Sequence, residues 1–393
     1  MATIVSTHEQ IPFWRDERVL RAAAQVVSAI IILGFLTWVI LNFLGITKQR
    51  GMPLTYGFLN EPAGFPITES YIPYEPTMSF GRAFLVGLVN TLVISAVGIV
   101  FATLLGFLVA MGRLSSNWLV SRISLAFIEF HRNIPLLVLL VIWYFGIFNK
   151  FPQVKESIEL PGPIYINQRG LYLTWPRLTE TGNIFLYSIL IGIILAYAAW
   201  TVLYRIRVEK GRSTYYGWVS FGLLIGFPIA GWLIAGGSPL QADVPILQGF
   251  NFRGGLRLTP EFASLLFGLT LYTAAFIAEV IRAGIQAVSR GQVDAARAIG
   301  LRNNQVLGLI VIPQALRVII PPLISQYLNL TKNSSLALYI GYQEVFAIGK
   351  VAINQAGRAV PVFLMVMATY LALSLLTSTV LNIYNRRIQF IEK

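Results

Sequence analysis

The chain of 393 residues contains no cysteine. Disulfide frameworks, thiolate zinc sites and thiol nucleophiles are therefore excluded. Histidine occurs only as His8 and His131, which argues against a metal site built from several histidines. Charged residues make up 12% of the chain, whereas soluble domains carry about 25%. This shortage of charge argues against a soluble enzyme.

A phosphate-binding loop of the GxxxxGK[ST] type is also missing from the sequence. The glycine-lysine pair occurs once, at Gly349 and Lys350, but Glu344 stands at the position of the first glycine and Val351 follows the lysine. Such a loop cradles phosphates with its glycine backbone and its lysine. We therefore expect this chain to bind no ATP, magnesium or other cofactor itself.

Apolar residues are abundant, since 56% of the chain is hydrophobic and its mean hydropathy is +0.68. They cluster in long runs, and about 20 apolar residues in a helix cross the hydrocarbon core of a bilayer. The runs predict an all-α integral membrane protein with eight transmembrane helices. Their approximate bounds are 22–46, 83–111, 119–148, 184–204, 216–236, 262–288, 307–330 and 359–384.

The third and seventh spans are the least uniform, because polar residues and prolines interrupt them. Pro135 interrupts the third span, and Pro313, Pro321 and Pro322 interrupt the seventh. Proline removes a helical hydrogen bond and often kinks or breaks a helix. We predict both spans as continuous helices, and a broken or re-entrant helix is the alternative for each.

The distribution of positive charge predicts the orientation in the membrane. The net charge is +13, and more than half of the 30 basic residues fall in cytoplasmic segments if the N-terminus is cytoplasmic. Cytoplasmic loops of membrane proteins carry such an excess of Lys and Arg. We expect both termini to be cytoplasmic, and we expect no nucleic acid partner.

The spacing of the spans predicts how the chain is organised. We expect an N-terminal segment over 1–79, two further parts over 80–148 and 256–393, and an insert over 149–255 between those two parts. The insert holds two spans joined by the basic turn 205–212. Gly222 and Gly226 in its second span either mark a helix contact or occur by chance in a glycine-rich helix.

The segment 289–306 predicts a short cytoplasmic helix. Asp294 suits the positive end of that helix and Arg297 its negative end, while Gly300 suits a left-handed stop. Ala295 and Ala296 leave one side small, which favours docking into a groove on another protein. We expect a bulky residue at Ala296 to obstruct that docking without unfolding the subunit. An ordinary turn between two spans is the alternative.

The same segment resembles the cytoplasmic coupling loop of ABC importer permeases. The family pattern is Glu-Ala-Ala, three residues, Gly, nine residues, Ile-x-Leu-Pro. The matching residues are Asp294, Ala295, Ala296, Gly300, Ile310 and Pro313, with Ile312 in place of Leu. The resemblance implies a coupling helix over about 290–301 that docks on a separate ATPase subunit.

Flanking segments are similar to polar amino acid permeases of the histidine and glutamate type, over about 80–148 and 259–387. The resemblance implies a bacterial inner membrane protein with a type I importer core of five helices, formed by 80–148 and 256–393. An N-terminal helix and a two-helix insert at the periphery of the bundle extend this core, as in general L-amino acid systems. It also implies a second related permease, two ATPase subunits that bind ATP and magnesium, and an extracytoplasmic substrate-binding protein. Many relatives place Asp where Asn333 stands, which weakens the expected preference for cationic substrates.

Polar residues inside spans are costly unless they pair or line a wet cavity. A zwitterionic amino acid needs a cation for its carboxylate and an acceptor for its amine. The candidate path residues are Glu129, Arg132, Asn133, Glu279, Gln314, Arg317, Lys332 and Asn333. Glu279 and Arg282 lie three residues apart and either serve the path or neutralise each other. His131 is expected to be a packing residue.

Two other classes of function compete with an ATP-driven importer of broad polar, neutral and acidic L-amino acids. A self-sufficient secondary transporter or channel needs no coupling loop, and a membrane-embedded enzyme needs a catalytic cluster. Co-purification of an ATPase chain in fixed ratio discriminates the importer from both.

Overall fold

The structure is a computed structural model that describes residues 16–49 and 54–388. Residues 1–15, 50–53 and 389–393 lie outside the described residues. They include His8, Lys393 and the start of the predicted N-terminal segment. Long helices dominate the described part. The α-helices are α1 (Glu17–Gln49), α2 (Phe80–Leu114), α3 (Trp118–Asn133), α4 (Leu136–Val141), α5 (Gly182–Lys210), α6 (Tyr216–Ile234), α7 (Pro260–Gln286), α8 (Arg290–Ala298), α9 (Asn303–Val306), α10 (Ile312–Asn333), α11 (Val345–Ala356) and α12 (Ala359–Ile388).

Seven helical stretches among the described residues are long and apolar enough to cross a membrane. The helix α3 and the helical segment 136–150 form a bent pair, which gives an eighth crossing if the pair counts as one span. The prediction of an all-α membrane protein is therefore confirmed. Shorter helical turns extend the longer elements. They are Gly57–Asn60, Ile142–Ile147, Phe148–Lys150, Val154–Glu156, Leu307–Val311 and Ser334–Ile340.

The continuous third span is a wrong prediction, because the chain bends by 103° between α3 and the helix that follows. Ile134 is extended (φ −100°, ψ 131°), as the residue before a proline prefers. Pro135 then precedes the first turn of α4, where a missing N–H costs nothing. The broken helix named as the alternative is the observed structure.

The seventh span stays helical despite its prolines. Pro313 lies in the first turn of α10, and Pro321 and Pro322 lie inside the helix. A wider helical turn over Leu307–Val311 leads into α10. The stretch from Asn303 to Ile340 therefore counts as one apolar crossing, as predicted.

The core of the bundle is the packing of α7 against α2 and α10. Gly106 of α2 has no room for a side chain, since an added Cβ would lie 2.7 Å from Cγ2 of Ile277 on α7. Gly284 of α7 is equally close to Ile319 of α10. Ile94, Leu269 and other fully buried side chains fill the space around these crossings.

A second hydrophobic cluster joins the loop before α2 to α11 and α12. Phe58 and Phe65 from the loop are buried with Val345 and Ile348 of α11 and with Val362 of α12. The loop over 54–79 is therefore ordered against the bundle.

Short strands form in the two loops that flank the α5–α6 hairpin, a feature that the sequence analysis did not predict. The strands are β1 (Ile158–Leu160), β2 (Ile164–Asn167), β3 (Gly170–Leu173), β4 (Trp175–Leu178), β5 (Leu240–Asp243), β6 (Ile246–Gln248), β7 (Asn251–Arg253) and β8 (Leu256–Leu258). Four of them make an antiparallel sheet in the order β1-β2-β3-β8. The pairs β4–β5 and β6–β7 are separate two-stranded ribbons.

The strands connect both ends of the hairpin to each other. Leu171 of β3 pairs with Leu258 of β8, and Trp175 of β4 pairs with Asp243 of β5. Tyr172 and Phe252 are buried between the strands beside Val154. The loops before α5 and after α6 therefore fold as one unit.

The helices α5 and α6 pack mainly on each other. Gly192 of α5 and Gly231 of α6 allow the close approach, since an added Cβ at Gly192 would lie 3.0 Å from Phe227, and one at Gly231 would collide with Ser188. An added Cβ at Gly222 or Gly226 would meet nothing within 4 Å. These two glycines therefore make no helix contact within the described chain. This agrees with the interpretation that their spacing occurs by chance in a glycine-rich helix.

Candidate functional site

The short helix predicted between the sixth and seventh spans is α8, from Arg290 to Ala298. Arg297 lies in its last turn, as predicted, whereas the first turn holds no acidic residue. Asp294 lies one turn further along. The interaction of Asp294 with the positive helix end is therefore weaker than the sequence analysis expected, because that effect fades beyond the first turn.

The end of α8 has the predicted geometry. Gly300 is left-handed with φ +86°. Its N–H donates to the carbonyl of Arg297 at 2.9 Å, and the N–H of Leu301 donates to the carbonyl of Ala296 at 3.2 Å. This pair of bonds is the Schellman arrangement, which satisfies the last carbonyls of a helix.

The side chain of Ala296 points into the chain itself and not toward a partner. It is 4% exposed and packs with Val306 and Val311. Ile285, at the end of α7, packs against the same cluster. The expectation that a bulky residue at Ala296 blocks docking in a folded subunit is therefore wrong, because such a residue would disrupt this cluster first.

The opposite side of α8 is exposed. Asp294, Ala295 and Ala298 are exposed, and Ile299 is 78% exposed at the end of the helix. The isoleucine side chain is apolar and largely exposed, and it lies at the end of a helix with small residues. Such a side chain is suited to insertion into a groove. The sequence analysis did not identify Ile299 as an exposed residue. Its position just before the helix-ending Gly300 is the signal that could have identified it.

Ile310 and Pro313 serve the connection between α8 and α10. Ile310 is half-buried against the cluster around Ala296. Pro313 is half-buried in the first turn of α10. Both residues therefore belong to the junction that carries α8, and the exposed face does not include them.

Two of the predicted path residues meet at the end of α3. The amide of Asn133 donates to Glu129 at 3.1 Å. The Arg132 guanidinium lies over the ring of Phe276 on α7, 5.3 Å from its centroid. His131 is buried, its Nδ1 lies 2.9 Å from the carbonyl oxygen of Phe127, and its ring packs beside Phe127 and Phe130. These contacts agree with its predicted packing role.

Glu279 and Arg282 pair with each other. Nη2 of Arg282 lies 2.7 Å from Glu279, and the two side chains are 27% and 23% exposed. The pair is therefore largely self-neutralising, which was one of the two interpretations. The charges of Arg132 and Arg113 also act on Glu279, so the ends of α2 and α3 and the middle of α7 share one electrostatic cluster.

The path residues on α10 divide into two separate groups. Gln314 and Arg317 lie near its first turns, and Lys332 and Asn333 at its last turn. The 19 residues between Gln314 and Asn333 correspond to about 28 Å of helix. The fold does not bring these two groups into one binding site.

A polar network at the opposite end of α7 was not predicted. The Thr259 hydroxyl, which precedes α7, donates to Glu69 at 2.7 Å. The amide of Asn90 donates to the carbonyls of Glu69 and Gln343, at 2.8 and 2.9 Å. Burial raises the pKa of the Glu69 carboxyl, and the hydrogen bond from Thr259 opposes that shift. The network ties the 54–79 loop, α2, α7 and the segment before α11 together.

Glu344 extends this network as the cap of α11. Its carboxylate accepts from the backbone N–H groups of Phe346 and Ala347, at 2.9 and 2.8 Å. It also accepts from the hydroxyl of Tyr370 at 2.5 Å. Glu344 is fully buried. Its carboxylate accepts hydrogen bonds only from groups of this fold named above, so we assign it a structural role.

Metal ligands are not clustered in the described residues, where no group of three His, Asp or Glu side chains is placed to hold an ion. The features that stand out are an exposed helix between two membrane spans and polar residues along helices inside the bundle. Together they define a polytopic membrane protein with an exposed helix between two of its spans.

Comparison with known proteins identifies this class. The family described as "Binding-protein-dependent transport system inner membrane component" matches residues 218–390. The chain is 42% identical to the putative amino-acid ABC transporter permease protein YhdX of Escherichia coli (strain K12), over 94% of each chain. The chain therefore belongs to the family of amino-acid ABC transporter permeases and is a multi-pass inner membrane protein.

Two further relatives match over nearly their whole length. The general L-amino acid transport system permease protein AapQ of Rhizobium johnstonii is 40% identical, over 94% of this chain and 92% of the relative. The glutamate/glutamine/aspartate/asparagine transport system permease protein BztB of Rhodobacter capsulatus is 34% identical, over 96% of each chain. Membership of this family implies partners that hydrolyse ATP and a partner that binds substrate.

Proposed function

We propose that this chain is the subunit through which amino acids cross the membrane in an importer driven by ATP hydrolysis on a separate ATPase chain. The observation that carries the proposal is the exposed face of α8, which ends in Ile299, 78% exposed. The relatives named as general L-amino acid and glutamate/glutamine/aspartate/asparagine permeases support polar, neutral and acidic L-amino acids as the substrates.

The proposed assembly contains more chains than this one. A second related permease pairs with this subunit about a pseudo-two-fold axis, two ATPase subunits bind ATP and magnesium below it, and a substrate-binding protein delivers the amino acid outside. The missing phosphate-binding loop in this sequence supports the assignment of ATP to other chains. The hairpin of α5 and α6 packs mainly on itself, which supports its place at the periphery.

Coupling runs through the cluster beneath α8. Asp294, Ala295 and Ile299 face the ATPase, while Ala296 seats α8 on Val306 and Val311. Ile285 connects the same cluster to α7, and the wide turn over Leu307–Val311 leads directly into α10. Displacement of α8 therefore shifts α7 and α10 together, because packed side chains transmit movement with little compression.

The substrate path lies along α3, α7 and α10 in this proposal. The Arg132 guanidinium is exposed and faces no carboxylate at ion-pair distance among the described residues, so it is available for a substrate carboxylate. Glu129 is an acceptor one turn away, held by Asn133. Gln314 and Arg317 continue the path at one end of α10, and Lys332 and Asn333 at the other.

The orientation follows from α8. If α8 meets the ATPase, then α8 and the turn 205–212 are cytoplasmic and the strands β1 to β8 are external. Both termini are cytoplasmic in this arrangement. The chain has no cysteine, so single introduced cysteines report topology with no background.

Co-purification and transport test the proposal together. The complex that elutes with this chain is placed in proteoliposomes with radiolabelled glutamate and the binding protein, and uptake is measured with ATP inside, ATP outside, or none. We expect an ATPase chain in fixed ratio and uptake only with ATP on the side that carries α8. Uptake by this chain alone down an ion gradient would contradict the proposal.

A further inference from the structure

The turn between α5 and α6 carries an unpaired cluster of positive charge. The side chains of Arg205, Arg207, Lys210 and Arg212 are all exposed, and Glu209 is the one acidic residue between them, so the turn 205–212 keeps a net charge of +3. No carboxylate among the described residues forms an ion pair with any of them. The turn itself is ordered, since the N–H of Gly211 donates to the carbonyl of Arg207 at 3.0 Å and the Thr214 hydroxyl donates to Leu203 at 2.9 Å.

The lengths of the two helices place these charges at the surface of the bilayer. The 19 residues of α6 correspond to about 28 Å, close to the thickness of the hydrocarbon core. The 29 residues of α5 correspond to about 44 Å and extend beyond it. Trp200 of α5 contacts Tyr216 at the start of α6. Arg205 therefore lies roughly 8 Å beyond that boundary along the axis, at the level of the phospholipid headgroups.

A groove runs from this boundary toward the middle of the hairpin. It has a volume of about 480 Å³ and is almost entirely apolar. One face of each helix contributes to its walls, with residues spaced three and four apart. The walls include Ala196, Tyr197 and Trp200 of α5, and Gly217, Ser220 and Phe221 of α6.

One buried polar group lines this groove without a partner. Ser220 is 7% exposed, and its hydroxyl has no hydrogen-bond partner among the described residues. It lies four residues into α6, which is about 6 Å below Tyr216. At that depth, inside the hydrocarbon core, the groove wall meets lipid acyl chains.

The basic turn and the groove are connected by aromatic rings in edge-to-face contact. Tyr216 meets Trp200 edge-on at 4.7 Å and Tyr204 at 5.6 Å. The Arg207 guanidinium lies over the ring of Tyr216, 5.5 Å from its centroid. This arrangement brings one cation from the turn to the mouth of the groove. Aromatic side chains of this kind concentrate at membrane interfaces.

We propose that the α5–α6 hairpin holds an anionic phospholipid, with its phosphate on Arg207 at the mouth of the groove, attracted also by the other cations of the turn, and with one acyl chain in the groove beside Ser220. Charge complementarity favours this occupant, because basic clusters next to membrane helices attract anionic lipids by roughly five-fold per cation. The inference rests only on the membrane location of the hairpin, and it stands whether or not α8 couples to an ATPase.

Native mass spectrometry of the purified complex tests the proposal with two lipids of identical acyl chains, phosphatidylglycerol and phosphatidylcholine. We expect the unmodified complex to retain phosphatidylglycerol preferentially. Arg205→Gln/Arg212→Gln should weaken that retention by up to roughly 30-fold. Lys150→Gln/Lys155→Gln removes the same charge from exposed positions outside the hairpin and should leave the preference intact.

A second pair of variants tests the groove independently of charge. Gly217 and Gly222 both lie on α6, and an added Cβ at either meets nothing within 4 Å. Only Gly217 lines the groove. Gly217→Leu should therefore fill the groove and reduce phosphatidylglycerol retention at least three-fold, while Gly222→Leu should not.

Three results would overturn the proposal. The first is equal retention of the two lipids by the unmodified complex. The second is equal loss of phosphatidylglycerol in the hairpin arginine variant and the lysine control. The third is loss of a co-purifying subunit in the arginine variant with lipid retention unchanged, which would assign the turn to a protein partner.

Discussion

Two substitutions near the end of α8 should have opposite effects if Ala296 seats the helix on the fold and the exposed cap residue Ile299 meets a partner. Ile299→Asp changes a side chain that is 78% exposed in this subunit. Ala296→Leu changes one that is 4% exposed and packed against Val306 and Val311. The first should therefore spare the fold and harm docking, and the second should do the reverse.

The magnitudes follow from burial. Covering an isoleucine side chain contributes about 1.5–3 kcal/mol, so Ile299→Asp should weaken ATPase binding by about 2 kcal/mol, roughly 30-fold. Adding methylene groups to a packed cluster costs about 1–3 kcal/mol. Ala296→Leu should therefore lower the melting temperature of the subunit.

Two assays separate these outcomes. Retention of the ATPase chain is followed as the purified complex is diluted, and thermal unfolding of the subunit is followed by static light scattering in the same detergent. Lys150→Gln, at an exposed position outside α8, is the control and should match the unmodified subunit in both assays. The reasoning is refuted if Ile299→Asp retains the ATPase normally while Ala296→Leu melts normally.

Three further predictions concern the end of α8, the ion pair in α7 and the polar network around Glu69. Gly300→Val should strain the left-handed position (φ +86°) by about 1–2 kcal/mol and sharply reduce substrate-stimulated ATPase activity. Gly300→Asn should reduce that activity less, and Asp294→Glu should leave it nearly unchanged. Glu279→Gln should lower the melting temperature more than Glu279→Gln/Arg282→Gln does, because the single change leaves a half-buried guanidinium unpaired. Equal melting temperatures of the two variants would count against this reasoning. Burial raises the pKa of Glu69 above its usual value near 4.5, so the folded state binds more protons than the unfolded state above that pH. The contribution of Glu69 to stability is therefore full at lower pH and lost as pH rises through the raised pKa; a Glu69→Gln subunit should lack this part of the pH dependence of melting, and an unchanged profile would contradict it.

Hydropathy and local helix signals are sufficient to predict much of this fold. The spans appear in the sequence because lipid requires long apolar helices. The stop of α8 appears because a left-handed residue after a helix is usually glycine, as at Gly300. These features depend on short stretches of chain, and no distant contact is needed to specify them.

Other features depend on tertiary contacts that a single sequence does not display. Pro135 breaks a span whereas Pro321 and Pro322 do not, so proline alone does not decide the outcome. The burial of Ala296 depends on how α9 and the start of α10 fold back onto α8. Glu69 and Thr259 form a hydrogen bond across 190 residues of chain, and no local pattern signals such a pair.

The most direct test of the central claim is crosslinking from α8 in the working transporter. A single cysteine at position 299 carries a photoactivatable group, and a single cysteine at position 250, in the β6–β7 turn, is the control. During ATP-driven amino acid uptake, we expect position 299 to form an adduct whose mass equals this chain plus one ATPase chain, and position 250 to form none. An active, fully assembled complex in which position 299 gives no ATPase adduct would contradict the role of α8 as the coupling helix.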